Sequence, residues 1–313
     1  MRRLVPLLPL LLLGPACSGE GEGDDHGATT GTTPGTTGAS ATSVSTSDAS
    51  AASMSTTAAS ASGSSGGSDP SGDPTTGDPT TGDLTTGDPS GDPPGDPCPG
   101  YATRYWDCCK AHCGWPGNVN PATDPLLSCD QLDAPIVDPL TSSACDAPAP
   151  SSAFTCSSNA PWAVSDTLAY GFAAVPASGD ICGRCYRLDF DGSGHYSAQD
   201  PGSVALAGKA MIVQATNIGY DVGGGQFDIL TPGGGVGLFD ACSFQWGVDK
   251  AELGATYGGF MTACQEMFGG DHAKQKECVL GRCDAVFADP ALAELRAGCH
   301  WYVDWYEAAD NPN

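Results

Sequence analysis

Apolar and polar positions are spread very unevenly along this chain. Residues 4–13 are almost continuously apolar, residues 18–97 hold almost no large apolar side chains, and from residue 98 onward short apolar runs recur between turn formers. In that last region Gly208 to Asn217 (GKAMIVQATN) and Cys185 to Phe190 (CYRLDF) are rich in β-branched or aromatic residues and alternate in part, which predicts strands. His300 to Tyr306 (HWYVDWY) reads as a strand by the same signs, with Trp301 and Trp305 on its core side. Phe227 to Leu230 (FDIL) reads as a short strand running into TPGGGVG. A helix is predicted over Asp289 to Gly298, since Pro290 suits a first turn and Gly298 a stop; a second, short one is predicted over Ser165 to Phe172. From Ala111 to Ala160 the chain is rich in Pro, Ser, Asp and Cys, which predicts long loops. Few strands and many loops point to a compact, mainly β barrel with its loops forming a groove.

The uneven pattern also divides the chain. Residues 1–16 place Arg2 and Arg3 before a short apolar run, too short to span a membrane, and read as a signal peptide. Cys17 follows at once, and LLGPAC resembles a bacterial lipoprotein cleavage site, so Cys17 is the expected lipidation site. Gly14 departs from the usual Leu there, and the competing reading is an ordinary signal cut near GPA. Residues 17–97 hold twelve acidic residues and no Lys or Arg, with the near-repeats TTGDP, TTGDL and TTGDP. Such a segment buries too little to offset its chain entropy and is expected to be a disordered linker. Residues 98–313 are the one expected folded domain. The chain is expected to be exported, either anchored at the cell surface or secreted.

Charge and cysteine content narrow the function. The net charge of −25 disfavours nucleic acid as a partner, because an acidic domain repels phosphate backbones. Fourteen of the fifteen cysteines lie in residues 98–313, an even number that, beside an export signal, reads as a disulfide framework. Zinc competes through CCKAHC (Cys108 to Cys113) and the C-x-x-C at Cys182 and Cys185, but neither has a finger spacing and no H-E-x-x-H occurs. The one G-x-S-x-G, Gly63 to Gly67, lies in the low-complexity region, without the strand and helix a nucleophile elbow needs. No metal or cofactor is expected, and the domain is expected to act as a monomer whose only membrane contact is the lipid anchor.

What remains is carboxylate chemistry. Glycoside hydrolysis needs a proton donor to the leaving oxygen and a base or nucleophile across the sugar. Asp107 in ATRYWDCC is flanked by Tyr105, Trp106 and Cys108; Asp228 sits in GQFDILTPGGGVG; Asp221 lies in GYDVGGG just before it. The glycines after Asp228 allow backbone or ligand to approach closely. For any single Asp a cap, a turn or a solvated position is the commoner role, and Asp240, Asp304 and Asp310 are assigned to it. Tyr105, Trp115, Trp162 and Tyr257 are candidate sugar-stacking platforms, with core packing an equal reading for Trp162. Lys110 is a candidate for positioning hydroxyls, and Arg104 is assigned a structural role.

ATRYWDCCKAHCGW resembles the signature of the family 45 glycoside hydrolases, secreted endo-β-1,4-glucanases. The resemblance continues, in order, through PWAV (Pro161 to Val164), GFAA (Gly171 to Ala174), FDILTPGGGVGLFDAC (Phe227 to Cys242), YGG (Tyr257 to Gly259) and GCHWYVDWYEAADNP (Gly298 to Pro312). It implies a six-stranded double-psi β-barrel with long disulfide-stapled loops and a few short helices. It also implies an inverting hydrolase with Asp107 as base, Asp228 as acid and Asp221 as an assisting carboxylate, acting on cellulose or a related β-1,4-linked polysaccharide. The disulfides it implies are Cys108–Cys242, Cys109–Cys145, Cys113–Cys182, Cys129–Cys156 and Cys283–Cys299. The chain departs from the family pattern at Gln226, where histidine is common, and at Gly183, where a cysteine is usual. It also carries an insertion over Phe260 to Arg282 and the extra Cys98. Cys264 and Cys278 lie in that insertion and are expected to close a local loop, which leaves Cys98 for Cys185. Two alternatives stand beside hydrolysis. An expansin-like protein shares the barrel and the FD acid but lacks the base, which TRYWD supplies here. A surface adhesin that kept the fold and lost activity is hinted at only by Gln226.

Overall fold

The computed structural model describes residues 98–177 and 179–313; the signal segment, Cys17 and the linker lie outside them. Eight strands form among the described residues: β1 Tyr101–Tyr105, β2 Ser128–Cys129, β3 Phe154–Thr155, β4 Trp162–Ala163, β5 Leu168–Pro176, β6 Cys185–Asp189, β7 Ala210–Gly219 and β8 Gln226–Leu230. Six of them make one mixed sheet in the order β1-β8-β5-β7-β6, with β4 added on β5. The β1/β8 and β5/β7 pairs are parallel, while β5/β8, β6/β7 and β4/β5 are antiparallel. The strand number matches the expected barrel, and Tyr186 of β6 packs on Phe227 of β8 across the intervening strands.

The helices are α1 Pro201–Ala205, α2 Cys242–Trp246, α3 Gly259–Phe268, α4 His272–Val286 and α5 Ala293–Asp304. The insertion forms α3 and most of α4, a pair closed by the expected Cys264–Cys278 disulfide. Asp271 caps α4 by accepting from Lys274 N. One continuous core runs from Ala102, Ile229 and Val213 of the sheet to Phe260, Leu295 and Trp301 of the helices. Among the described residues no helix is long and apolar enough to cross a membrane.

Two elements differ from the sequence expectation. HWYVDWY is not a strand: His300 to Asp304 lie in α5, and Trp301 and Trp305 stack at 5.5 Å as helical i, i+4 neighbours. Gly298 does not stop that helix but lies inside it, where a Cβ would meet Ala160 and Pro232. The helix buries Leu295, Gly298, Cys299 and Trp301 to Val303 and leaves Ala293, Glu294, Ala297 and Asp304 exposed, so the aromatic and β-branched residues that favour a strand locally serve tertiary packing instead. Ser165 to Phe172 is not a helix. The Ser165 hydroxyl accepts from Thr167 N and Leu168 N to make a turn, and Leu168, Tyr170 and Phe172 then alternate with buried Ala169, Gly171 and Ala173 along β5.

The disulfide framework follows the expected pairing for Cys108–Cys242, Cys109–Cys145, Cys113–Cys182, Cys129–Cys156 and Cys283–Cys299. The Cys98–Cys185 pairing is corrected. Cys185 is a free thiol, while Cys98 is disulfide-bonded elsewhere. Cys98 precedes β1 at one end of the strand order and Cys185 opens β6 at the other.

Candidate active site

Strand alternation builds one side of the site. Along β1 the buried positions are Ala102 and Arg104, while Tyr101, Thr103 and Tyr105 share the half-exposed face. Arg104 has the structural role: its guanidinium donates to Asp310 at 2.9 Å and to the Gly258 carbonyl, and lies over the Tyr302 ring. Asp310 is therefore corrected from a solvated acid to the partner of a buried arginine, and it also accepts from Gln265. Asp240 caps the start of α2 through Ser243, and Asp304 is exposed, as expected of both.

Asp107 follows β1 by two residues and is fixed from four directions. Its carbonyl accepts from Ala241 N at 3.0 Å, and its carboxylate Oδ1 accepts from Cys109 N at 2.9 Å. Cys108 and Cys109 are tied to Cys242 and Cys145. Cys108 adopts φ 62°, a left-handed conformation costing a non-glycine residue about 1 kcal/mol or more, and this turn brings Cys109 N back onto the carboxylate. The preceding Trp106 is buried and its backbone N–H donates to Gly235 O, docking this arm on the Gly-rich loop. At Gly234 a Cβ would meet Tyr105 N and Arg104 C, so the glycine run admits backbone here.

Asp228 enters from the neighbouring strand. Parallel pairing sets it beside Thr103, whose hydroxyl donates to Asp228 Oδ1 at 2.6 Å. Tyr105 lies in the field of both carboxylates, and its hydroxyl accepts from Asn217 Nδ2. Burial raises Asp107 to about 6, against the lowering effect of the Cys109 N–H. Asp228 is raised to about 7, chiefly by burial; Thr103 opposes this, and the negative charges of Asp221 and Asp107 add to it. Both carboxyls are thus raised, and the negative charges beside Asp228 push it the same way as its burial, the direction a proton donor needs.

A test of Asp221 follows from that field. Asp221 is exposed on the loop before β8. Asp221→Asn removes a like charge and is expected to lower the Asp228 pKa, so the high-pH limb of the activity profile moves to lower pH. A rate–pH profile checks it, and an unmoved limb removes Asp221 from the site.

The remaining sequence-predicted residues divide. Tyr257 is 58% exposed beside Gly237 of the Gly-rich loop, and adjoining Thr256 accepts from Gly237 N, which places the ring on the outer side of that loop. Trp115 is half-buried with the Lys110 ammonium 3.5 Å over its ring. Lys110 is corrected from a hydroxyl-positioning group to a structural one. It is buried, its Nζ donates to the Pro139 and Thr141 carbonyls, and its remaining donor direction faces Trp115. Trp162 is 46% exposed and not a core residue; its ring neighbours are Tyr170 and Phe172 on β5. Sequence reading missed Thr103, Tyr101 and Asn217, although the period-2 spacing of 101, 103 and 105 leading to Asp107 carries the signal for the first two.

The family model of glycosyl hydrolase family 45 matches residues 99–313. The chain is 57% identical over 218 residues to Endoglucanase B of Cellvibrio japonicus, covering 69% of this chain and 42% of that protein. It is 40% identical to a putative endoglucanase type K of Fusarium oxysporum, covering 68% and 48% respectively. The chain thus spans less than half the length of these two relatives. A solved cellulase from the Antarctic springtail Cryptopygus antarcticus superposes with a TM-score of 0.52 at 33% identity, covering 68% of this chain and 86% of that one. With the family pattern matched from the first strand to the last residue, this chain belongs to glycosyl hydrolase family 45.

Proposed function

We propose that residues 98–313 form an inverting endo-β-1,4-glucanase that cleaves internal bonds of cellulose or a related β-1,4-glucan. The observation that carries this reading is the pair of half-buried carboxyls brought together by the β1/β8 pairing, Asp107 just beyond β1 held by Cys109 N and Ala241 N, and Asp228 on β8 held by the Thr103 hydroxyl. In this reading Asp228 gives its proton to the glycosidic oxygen as the bond to the anomeric carbon breaks. Asp107 takes a proton from the water that attacks the opposite face of that carbon. Inversion calls for carboxyls about 6.5–9.5 Å apart, leaving room for that water. The half-exposed Tyr105 and the exposed Tyr257 offer aromatic faces to sugar rings, with half-buried Trp115 between Lys110 and solvent. The similarity to proteins named endoglucanases supports the substrate class.

The expansin-like alternative needs no base, and the elaborate fixing of Asp107 favours hydrolysis over it. Export to an oxidising compartment fits the disulfides that staple this domain. Viscosity and reducing ends, followed together on carboxymethylcellulose, mixed-linkage glucan, xyloglucan and glucomannan, test the proposal. A viscosity fall that runs ahead of reducing-end release on at least one polymer is expected; binding without new reducing ends on any of them supports the expansin-like reading instead.

A further inference from the structure

Gln226 is the first residue of β8, two before the acid, and it makes four polar contacts. Gly223 N lies 2.9 Å from its Oε1, the Tyr101 hydroxyl 3.0 Å from the same atom, and Thr103 Oγ1 2.9 Å from its Nε2; its own backbone N–H donates to the Gly223 carbonyl. One of these fixes the rest. A backbone N–H can only donate, so the amide atom facing Gly223 is the oxygen. Tyr101 must then donate to that oxygen. The other end is the NH2 group, which must donate to Thr103. The Thr103 hydroxyl, accepting from Gln226, has one hydrogen left, and the acceptor 2.6 Å away is Asp228 Oδ1.

We infer that Gln226 is a positioning residue: its amide nitrogen holds the Thr103 hydroxyl as a donor to Asp228 Oδ1, and its amide oxygen ties the Asp221 loop to the same network. With Oδ1 committed as an acceptor, the proton of neutral Asp228 sits on Oδ2, which is the oxygen left to face a leaving group. An amide does not titrate, so this direction holds at every working pH. The other groups whose charge reaches Asp228 are Asp221 on the loop, Asp107 and Arg104 from the β1 arm, Tyr101 and Tyr105 on β1, and Tyr306 beyond α5. Thr103 donation favours the ionised acid and opposes burial. Without Gln226, the Thr103 hydroxyl is free to turn and accept from the protonated acid, which strengthens the neutral form.

The inference rests on Asp228 being the acid, and the test separates the two. Activity on soluble β-glucan is measured against pH for the full chain carrying Gln226→Met, Thr103→Val, or both, with the fold checked by circular dichroism. Met keeps the length of Gln and removes only its polar ends. Gln226→Met is expected to lower kcat by about tenfold to a hundredfold through misplacement of the acid and its loop, and to move the high-pH limb upward. Thr103→Val moves the limb upward as well, and the double variant moves it no further than Thr103→Val alone. An unmoved limb in Gln226→Met overturns the inference. So does an equal further shift when Gln226→Met is added to Thr103→Val, because the two would then act independently. Retained activity in Asp228→Asn would instead overturn the assignment of the acid itself.

Discussion

Asp228→Asn and Asp107→Asn are each expected to lower kcat on soluble β-glucan by about 10²–10⁴-fold, the range of a lost general acid or base. Each variant keeps an acceptor for its native donor. In Asp228→Asn the amide oxygen still accepts from the Thr103 hydroxyl, and in Asp107→Asn it still accepts from Cys109 N. The loss is therefore chemical and not structural, and stability provides the control. Asp228 has a folded pKa of about 7 against an ordinary value of 3.8. Between those values the folded state holds a proton that the unfolded state has released, so stability falls as pH rises through that window and levels off above about pH 7. An amide escapes this loss. Asp228→Asn is therefore expected to melt above the wild type at about pH 8, with the difference closing toward about pH 4. Asp107→Asn behaves alike over a narrower window, since its carboxyl is raised only to about 6. A melting point below wild type at both pH values would mean that the two variants fail by misfolding. Near-normal turnover in a folded variant would remove the residue from catalysis.

Replacing Cys108 and Cys242 together by Ser is expected to cost about 2–5 kcal/mol of stability. This bridge spans 134 residues, and it ties the residue after Asp107 to the start of α2, next to Ala241, whose N–H holds the Asp107 carbonyl. Cys108 also sits at φ 62°, a conformation that the bridge helps to maintain. Losing it releases the turn that aims Cys109 N at the carboxylate. The urea midpoint should therefore fall, and kcat should fall even under conditions where the variant remains folded. A double variant with the wild-type midpoint and kcat would show that the backbone bonds alone hold Asp107. Two adjacent cysteines after a lone aspartate thereby have a physical reading: Cys108 ties the Asp107 turn to α2 and Cys109 ties it to Cys145.

The legible parts of the fold were those in which local pattern and tertiary demand agree. β6, β7 and β8 are partly alternating and rich in β-branched or aromatic residues, and all three form where the sequence places them. β5 was misread because small residues, Ala169, Gly171 and Ala173, fill its buried face and blur the period-2 signal. α5 was misread because its outer stripe, Ala293, Ala297, half-buried His300 and Asp304, is only weakly polar, so the aromatic and β-branched residues of its buried face dominate the pattern. Lys110 was misassigned for a different reason. Its partners are backbone carbonyls about thirty residues away, which no local pattern encodes. The carboxyls themselves were legible through family motifs. Their raised pKa values were not, since these depend on burial and on Thr103, Asp221 and the Cys109 N–H. Cys185 was unreadable from spacing, because an even cysteine count does not say which thiols the strand order brings together.

The central claim, that Asp107 activates water while Asp228 protonates the leaving oxygen, is tested most directly by the anomer formed first. Proton NMR of a β-1,4-linked oligosaccharide digest, recorded before mutarotation, reads it. The α-anomer in excess at the earliest times is the predicted result, because water enters opposite the departing β-linked oxygen. The β-anomer in excess would require a covalent intermediate on a carboxylate nucleophile, and would contradict the assignment of Asp107 as a base.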